Sequence, residues 1–178
     1  QRQHLKITTR SSMIATPFLI AIAPRVAEWT QSILSDGDRR GIENVEDEDI
    51  HMTSSGGLQQ HTIIVGYGLN GRNLSRVLRA VGIPYVVLEL NAEVVKRAKN
   101  KGEKINFGDS TRREVLSHAA IDKAWSLVLA ISDPHAARRT VKQARLMNPN
   151  LHIVVRTRYV AEIPELFKIG ATEVIPEE

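Results

Sequence analysis

Ile63-Ile64-Val65-Gly66-Tyr67-Gly68-Leu69-Asn70-Gly71 is the stretch that decides the fold. Three apolar residues read as a buried strand and run straight into G-Y-G-L-N-G. A helical segment follows, Arg72–Val81, with apolar residues at Leu74, Val77, Leu78 and Val81. A second apolar strand, Tyr85-Val86-Val87-Leu88, ends on Glu89, 23 positions after Gly66. Each glycine has a physical task in such an arrangement. Gly66 permits the tight turn, Gly68 lets a phosphate approach the backbone, and Gly71 lets the helix pack close to the strand. The phosphate would lie on unpaired amides at the helix start, where the macrodipole favours an anion. Glu89 suits the hydroxyls of a ribose. Strand, glycines, helix, strand and acid in this order point to a nucleotide site, whereas a lone glycine motif would not. The bland alternative is a glycine-rich turn that binds nothing.

From Gln60 onward apolar runs alternate with amphipathic segments. The pattern predicts strands at 62–66, 84–89, 104–107, 125–131, 151–155 and 173–175. Helices are expected at 70–81, 91–101, 111–119, 134–147 and 158–169. Such alternation means an α/β fold with a parallel sheet covered on both faces. With these strands the expected order is the doubly wound 3-2-1-4-5-6, a Rossmann-like sheet. Gly82-Ile83-Pro84, Met147-Asn148-Pro149-Asn150 and Gly170 are sensible helix stops.

The first part of the chain differs. Met13–Ala23 is apolar and uncharged and is closed by Pro24-Arg25, but it is too short to cross a bilayer, which needs about 20 residues. Residues 1–34 read as the end of a membrane helix or an amphipathic anchor, with Trp29 near the interface. A helix packed on a partner surface is the alternative. Residues 35–59 are acidic, then rich in Ser and Gly, and read as a linker. Residues 60–178 form the nucleotide-binding domain. The whole is thus a Rossmann-like domain with an N-terminal helical and linker appendage.

Composition narrows the function. The chain has 178 residues, 42% hydrophobic and 25% charged, which is enough to build a core. It has no cysteine, which excludes disulfides, thiolate metal sites and a cysteine nucleophile. Its histidines show no ligand spacing, and the acidic run does not match a calcium loop. The net charge of +4 raises the question of nucleic acid, but aromatics are only 4% of the chain. So few aromatics leave no stacking platform for bases, and the basic residues punctuate helices as solvated faces, so nucleic-acid binding is not expected.

Further candidates follow from the strand ends, where ligands of such sheets lie. After the third strand, Asp109 can accept from an adenine amino group; alternatively Asp109 or Ser110 caps the next helix, aided by Glu114. After the fourth, Ser132 can face the ligand and Asp133 with Pro134 suits a helix start. After the fifth, Arg156 can clamp a phosphate, with a structural ion pair as its rival. Leu90, next to Glu89, belongs to the same edge. Glu89 would repel a 2′-phosphate, so NADP is disfavoured.

Taken together, V-G-Y-G-L-N-G, L-E-L-N, F-G-D-S-T-R-R-E-V-L, A-I-S-D-P and V-V-R-T-R-Y-V resemble the TrkA-N domain, also called RCK or KTN, which regulates bacterial potassium transport. The segment S-S-M-I-A-T-P-F-L-I-A-I-A-P-R looks like the last membrane helix of Kef-type monovalent cation:proton antiporters. The resemblance departs in two places: the upstream half of that helix and the transport core are missing, and no ligand-sensing domain follows. It implies that Gly66, Tyr67, Gly68, Leu69, Asn70 and Gly71 wrap the phosphate. It further implies that Glu89 holds the ribose and that Asp109 with Ser110 meets the adenine. A homodimer, with late elements at its interface, is implied as well.

The expected function is a regulatory module, not an enzyme, on the cytoplasmic face of the cell membrane. An adenine nucleotide (AMP, ADP, ATP or NAD(H)) would bias an antiporter core in the same polypeptide. One alternative is a soluble TrkA-like subunit of a potassium uptake channel, which has no use for Met13–Ala23. The other is an NAD-dependent oxidoreductase fragment, which lacks room for a substrate domain and an evident proton donor.

Overall fold

The structure is a computed structural model that describes residues 58–177. Strands β1 (Thr62–Val65), β2 (Tyr85–Glu89), β3 (Ile105–Phe107), β4 (Ser126–Leu129), β5 (His152–Thr157) and β6 (Glu173–Pro176) alternate with helices. The helices are α1 (Leu69–Ala80), α2 (Ala92–Lys99), α3 (Arg113–His118), α4 (Pro134–Met147) and α5 (Ile163–Lys168). The strands are rich in Ile, Val and Leu, side chains that fit a pleated surface buried on both faces. All pairings are parallel, in the order β3-β2-β1-β4-β5-β6. This is the doubly wound order expected from the sequence.

β1 is therefore central, between β2 and β4, with Val65 in register with both Leu88 and Leu129. The chain reverses its direction of travel across the sheet at this pair, and the crevice beyond the strand ends opens there. The surrounding core joins Ile63, Leu88, Leu116, Ile121, Leu127, Leu129, Val141, Ile153 and Leu166. It makes the strand ends a rigid platform for the loops that follow them. Truncating a residue such as Leu127 to alanine is expected to cost about 2–5 kcal/mol.

Local chemistry sets the helix limits. Asn91 is expected inside the second helix but caps it, its side chain accepting from the Val94 amide at 3.1 Å. The Asp133 carboxylate accepts from the His135 and Ala136 amides, as its place before Pro134 suggests. The helix foreseen at 158–169 is split. A 3-10 turn at Val160–Glu162 precedes α5, whose first turn holds Pro164, a residue with no amide to donate. Neither Asp109 nor Ser110 caps α3. That position falls to Arg112, whose side chain makes no cap bond.

The appendage expected at residues 1–34 and the linker at 35–57 lie outside the described residues. Leu58, read as linker, packs against the core, and the Gln60 amide donates to the Lys123 carbonyl at 2.9 Å, so the fold starts slightly earlier than expected. Among the described residues no helix is long and apolar enough to cross a membrane.

Just ahead of β1, His61 is fully buried, and its Nε2–H donates to the Ala119 carbonyl at 2.8 Å. Its Nδ1 has no partner. Burial holds the imidazole below its ordinary 6.5, and only weaker effects from the Ala119 bond and Asp122 oppose this. A lowered folded-state value means that the unfolded chain takes up the proton first. The contribution of the neutral ring is therefore complete above pH 6.5 and is lost as pH falls below it. Urea unfolding across this range should show a shallower acid-side loss of stability in His61→Gln than in the parent. Parallel profiles would contradict the assignment.

Candidate functional site

The glycine turn is shaped by close contacts and by a positive φ. Gly66 has φ +96°, and a side chain there would meet Ile131 Cγ2 at 2.8 Å and the Ala130 carbonyl oxygen at 3.1 Å. A Cβ on Gly71 would lie 1.9 Å from the Gly66 carbonyl oxygen. Helix α1 is thereby pressed against the end of β1. Gly68 stands at its N-cap with no side-chain cap bond, and no acid lies in the first turn. The leading amides of an α-helix lack intrahelical partners and sit at the positive end of its dipole. A Cβ on Gly68 would meet nothing within 4 Å, so the space above these amides is open. Uncapped amides beneath open space make a cradle that can accept an anion.

Glu89 ends β2 beside this cradle. Its Oε2 accepts from the Tyr67 amide at 2.7 Å and its Oε1 from the Asn91 amide at 2.8 Å. A carboxylate offers about four lone-pair sites, so each oxygen retains capacity for a sugar hydroxyl. Leu69 at the start of α1, Leu90 just after β2 and Phe107 at the end of β3 are exposed, apolar groups suited to a base. The sequence placed Phe107 at this edge, after the third strand, without giving it a role; an exposed aromatic closing a strand was the available signal. The helix start can accept an anion, and the Glu89 carboxylate can accept from hydroxyl groups.

The remaining candidates divide. Asp109 is half-buried, and its Oδ1 accepts from the Thr111 amide at 2.9 Å, a local turn. Ser110 is turned inward, its hydroxyl 3.0 Å from that of Thr140 and the residue only 6% exposed. Ser132 is exposed at the edge and makes no side-chain bond among the described residues. Arg156 adopts the rival arrangement, an ion pair with Glu177 at 2.7 Å, and Arg158 holds the other oxygen of Glu177 at 3.0 Å. Nearby, Glu162 binds Arg138 at 2.8 Å and Thr157 at 3.0 Å. The β4–β5 half of the edge is largely self-satisfied, while the β1–β2 half is open.

No local pattern in the sequence revealed the hub at Glu103, a carboxylate whose side chain is only 7% exposed. It accepts from Tyr67 at 2.8 Å and from Tyr85 at 2.5 Å, and pairs with Arg79 at 2.7 Å. Burial opposes its ionisation, yet the bonds from Tyr85, Tyr67 and Arg79 outweigh it and hold the carboxyl below the usual range. Burial, reinforced by the bond to Glu103, pushes the Tyr85 phenol up to about 12. Tyr67 also lines a cleft of about 470 Å³ that runs from Gly68 past Arg72, Val94, Arg97 and Lys101. The edge of the site is thus cationic, in keeping with an anionic ligand.

Residues 62–177 match the TrkA-N domain. A chain of Alkalimonas amylolytica named as a K(+) efflux antiporter, KefB, is 40% identical over 121 residues, 68% of this chain. The match spans only 18% of that relative. Among solved structures, the TrkA-N domain of the inner membrane protein ybaL from Escherichia coli is 30% identical with a TM-score of 0.65. That likeness covers 67% of this chain and 89% of the other. The Kef CTD of Shewanella denitrificans, in an AMP-bound form, is 29% identical with a TM-score of 0.58, covering 66% of this chain and 70% of that one.

The glycine contacts separate folding from binding. Gly71→Ala should lose about 3 kcal/mol or more through backbone overlap. Gly68→Ala should lose under about 1 kcal/mol, while AMP affinity falls about tenfold or more as amide contacts to the phosphate are blocked. Thermal melts and calorimetric titration of both variants check this. A Gly68→Ala protein that binds AMP normally would remove the cradle from the account.

Proposed function

The chain belongs to the TrkA-N domain family, and we propose that it is the nucleotide-binding regulatory domain of a Kef-type monovalent cation:proton antiporter. One observation carries this reading: the uncapped start of α1, with open space over Gly68, stands beside a carboxylate already oriented by two amides. In this reading the backbone from Gly66 to Gly71 wraps the phosphate and Glu89 grips the ribose diol. Leu69, Leu90 and Phe107 shelter the adenine, with Asp109 at its rim. Ser132 borders the ligand, and Ser110 and Arg156 support the edge from behind it. The 40% identity to a protein named as a potassium efflux antiporter favours an antiporter over a channel subunit.

The domain is not an enzyme in this proposal. Hydride transfer needs a substrate pocket and a proton donor beyond the strand ends. Beyond β5 the described polar groups are engaged with one another, in Arg156–Glu177 and in Thr157–Glu162–Arg138. Regulation instead requires that nucleotide bind one arrangement of the protein more tightly than another. The domain would act as a homodimer on the cytoplasmic face of the membrane, joined to the transport core in one polypeptide. An adenine nucleotide, AMP, ADP, ATP or NAD(H), is its ligand.

Titration calorimetry with AMP, ATP, NADH and NADPH tests the site. Glu89→Ala should weaken AMP about 10- to 100-fold, the range for hydrogen bonds to a charged group. NADPH should bind far more weakly than NADH, because its 2′-phosphate would face Glu89. Equal affinity for NADH and NADPH would refute the diol assignment. Turnover of NADH with any carbonyl compound would refute the non-enzymatic reading.

A further inference from the structure

Tyr67 lies between Gly66 and Gly68, so its side chain is the tether by which the middle of the glycine turn is held to the domain. The tether has two ends. Its phenol donates to Glu103 Oε2 at 2.8 Å, and its amide donates to Glu89 Oε2 at 2.7 Å. Glu103 is itself fixed from several sides. Oε2 also takes Arg79 Nη2 at 2.7 Å and the Ser75 hydroxyl at 3.4 Å, and Oε1 takes the Tyr85 hydroxyl at 2.5 Å and the Lys104 amide at 3.3 Å. Arg79 Nε and Nη2 bond the Tyr85 oxygen at 3.1 and 3.0 Å. α1, β2 and the turn after α2 therefore converge on one buried carboxylate.

We infer that Glu103, acting through Tyr67, is a positioning residue that sets the ribose selectivity of the nucleotide site. The inference rests on the nucleotide-binding reading above. A carboxylate accepts along directions fixed by its plane. The Tyr67 and Asn91 amides take one direction on each oxygen of Glu89 and so determine which directions are left for a sugar diol. Loosening Tyr67 frees the Glu89 carboxylate to rotate. A ligand with both hydroxyls loses affinity as a result, while one lacking the 2′-hydroxyl has less to lose. A purely structural role for the hub predicts something else: both ligands would weaken alike.

The test is calorimetric titration of AMP and 2′-deoxy-AMP into the full chain and into Tyr67→Phe and Glu103→Gln. The parent should prefer AMP about tenfold, the scale of a hydrogen bond to a charged group. Tyr67→Phe should weaken AMP about three- to fivefold and leave 2′-deoxy-AMP within about twofold, compressing the preference. Glu103→Gln should do the same more strongly; if it fails to fold, Tyr67→Phe decides alone, since it removes a single hydroxyl. An unchanged ratio of the two affinities in a folded Tyr67→Phe overturns the inference and leaves the nucleotide reading standing. Absence of AMP binding to the parent overturns that reading itself.

Discussion

The close approach of Gly71 to the Gly66 carbonyl is the constraint on which the site depends. With a Cβ at position 71 only 1.9 Å from that oxygen, no other residue lets α1 start where it does. Because it starts there, its leading amides stand at the end of the central strand, beside the β1–β4 reversal of the sheet. The position of the helix dipole and of the uncapped amides then follows from backbone geometry. An anion site built in this way needs no cationic side chain in the cradle. The exposed cations Arg72, Arg97 and Lys101 along the adjoining cleft add a favourable field.

The two halves of the carboxyl edge are treated differently. Around β1 and β2 the polar groups are oriented but keep bonding capacity: the first-turn amides of α1 and the carboxylate of Glu89. Around β5, by contrast, Arg156, Arg158, Glu177, Thr157 and Glu162 satisfy one another. A buried or half-buried group left unpaired costs free energy. An unsatisfied but preorganised edge is thus where a ligand gains most, and a closed edge is where it gains least. In the proposed regulatory role, the influence on an attached transporter would equal the difference in nucleotide affinity between two states.

Much of this was legible in the chain. Strand and helix order, sheet order, the tasks of Gly66 and Gly71, and the carboxylate at the end of β2 all follow from periods and punctuation over short windows. What escaped were contacts between side chains far apart in sequence. Nothing local links Tyr67, Arg79, Tyr85 and Glu103, because their meeting is produced by the packing of α1 on β2 and by the turn into β3. Ser110 faces Thr140 for the same reason: α4 supplies the partner from 30 residues away. Arg156 carried two readings, and the sequence had no means of showing that Glu177 would reach it. Helix ends missed their expected places where a competing cap, Asn91, or a proline, Pro164, altered the first turn.

The central claim is that the leading amides of α1 bind a nucleotide phosphate while Glu89 holds its sugar. Amide nitrogen–proton correlation spectra recorded during an AMP titration address it most directly, since each backbone donor reports separately. The account predicts saturable downfield movement of the Gly68, Leu69, Asn70 and Gly71 amides, with Tyr67 and Asn91 shifting in step as Glu89 takes up the ribose. Saturation of AMP binding with these resonances unmoved, and the changes gathered around β5 and β6, would contradict it.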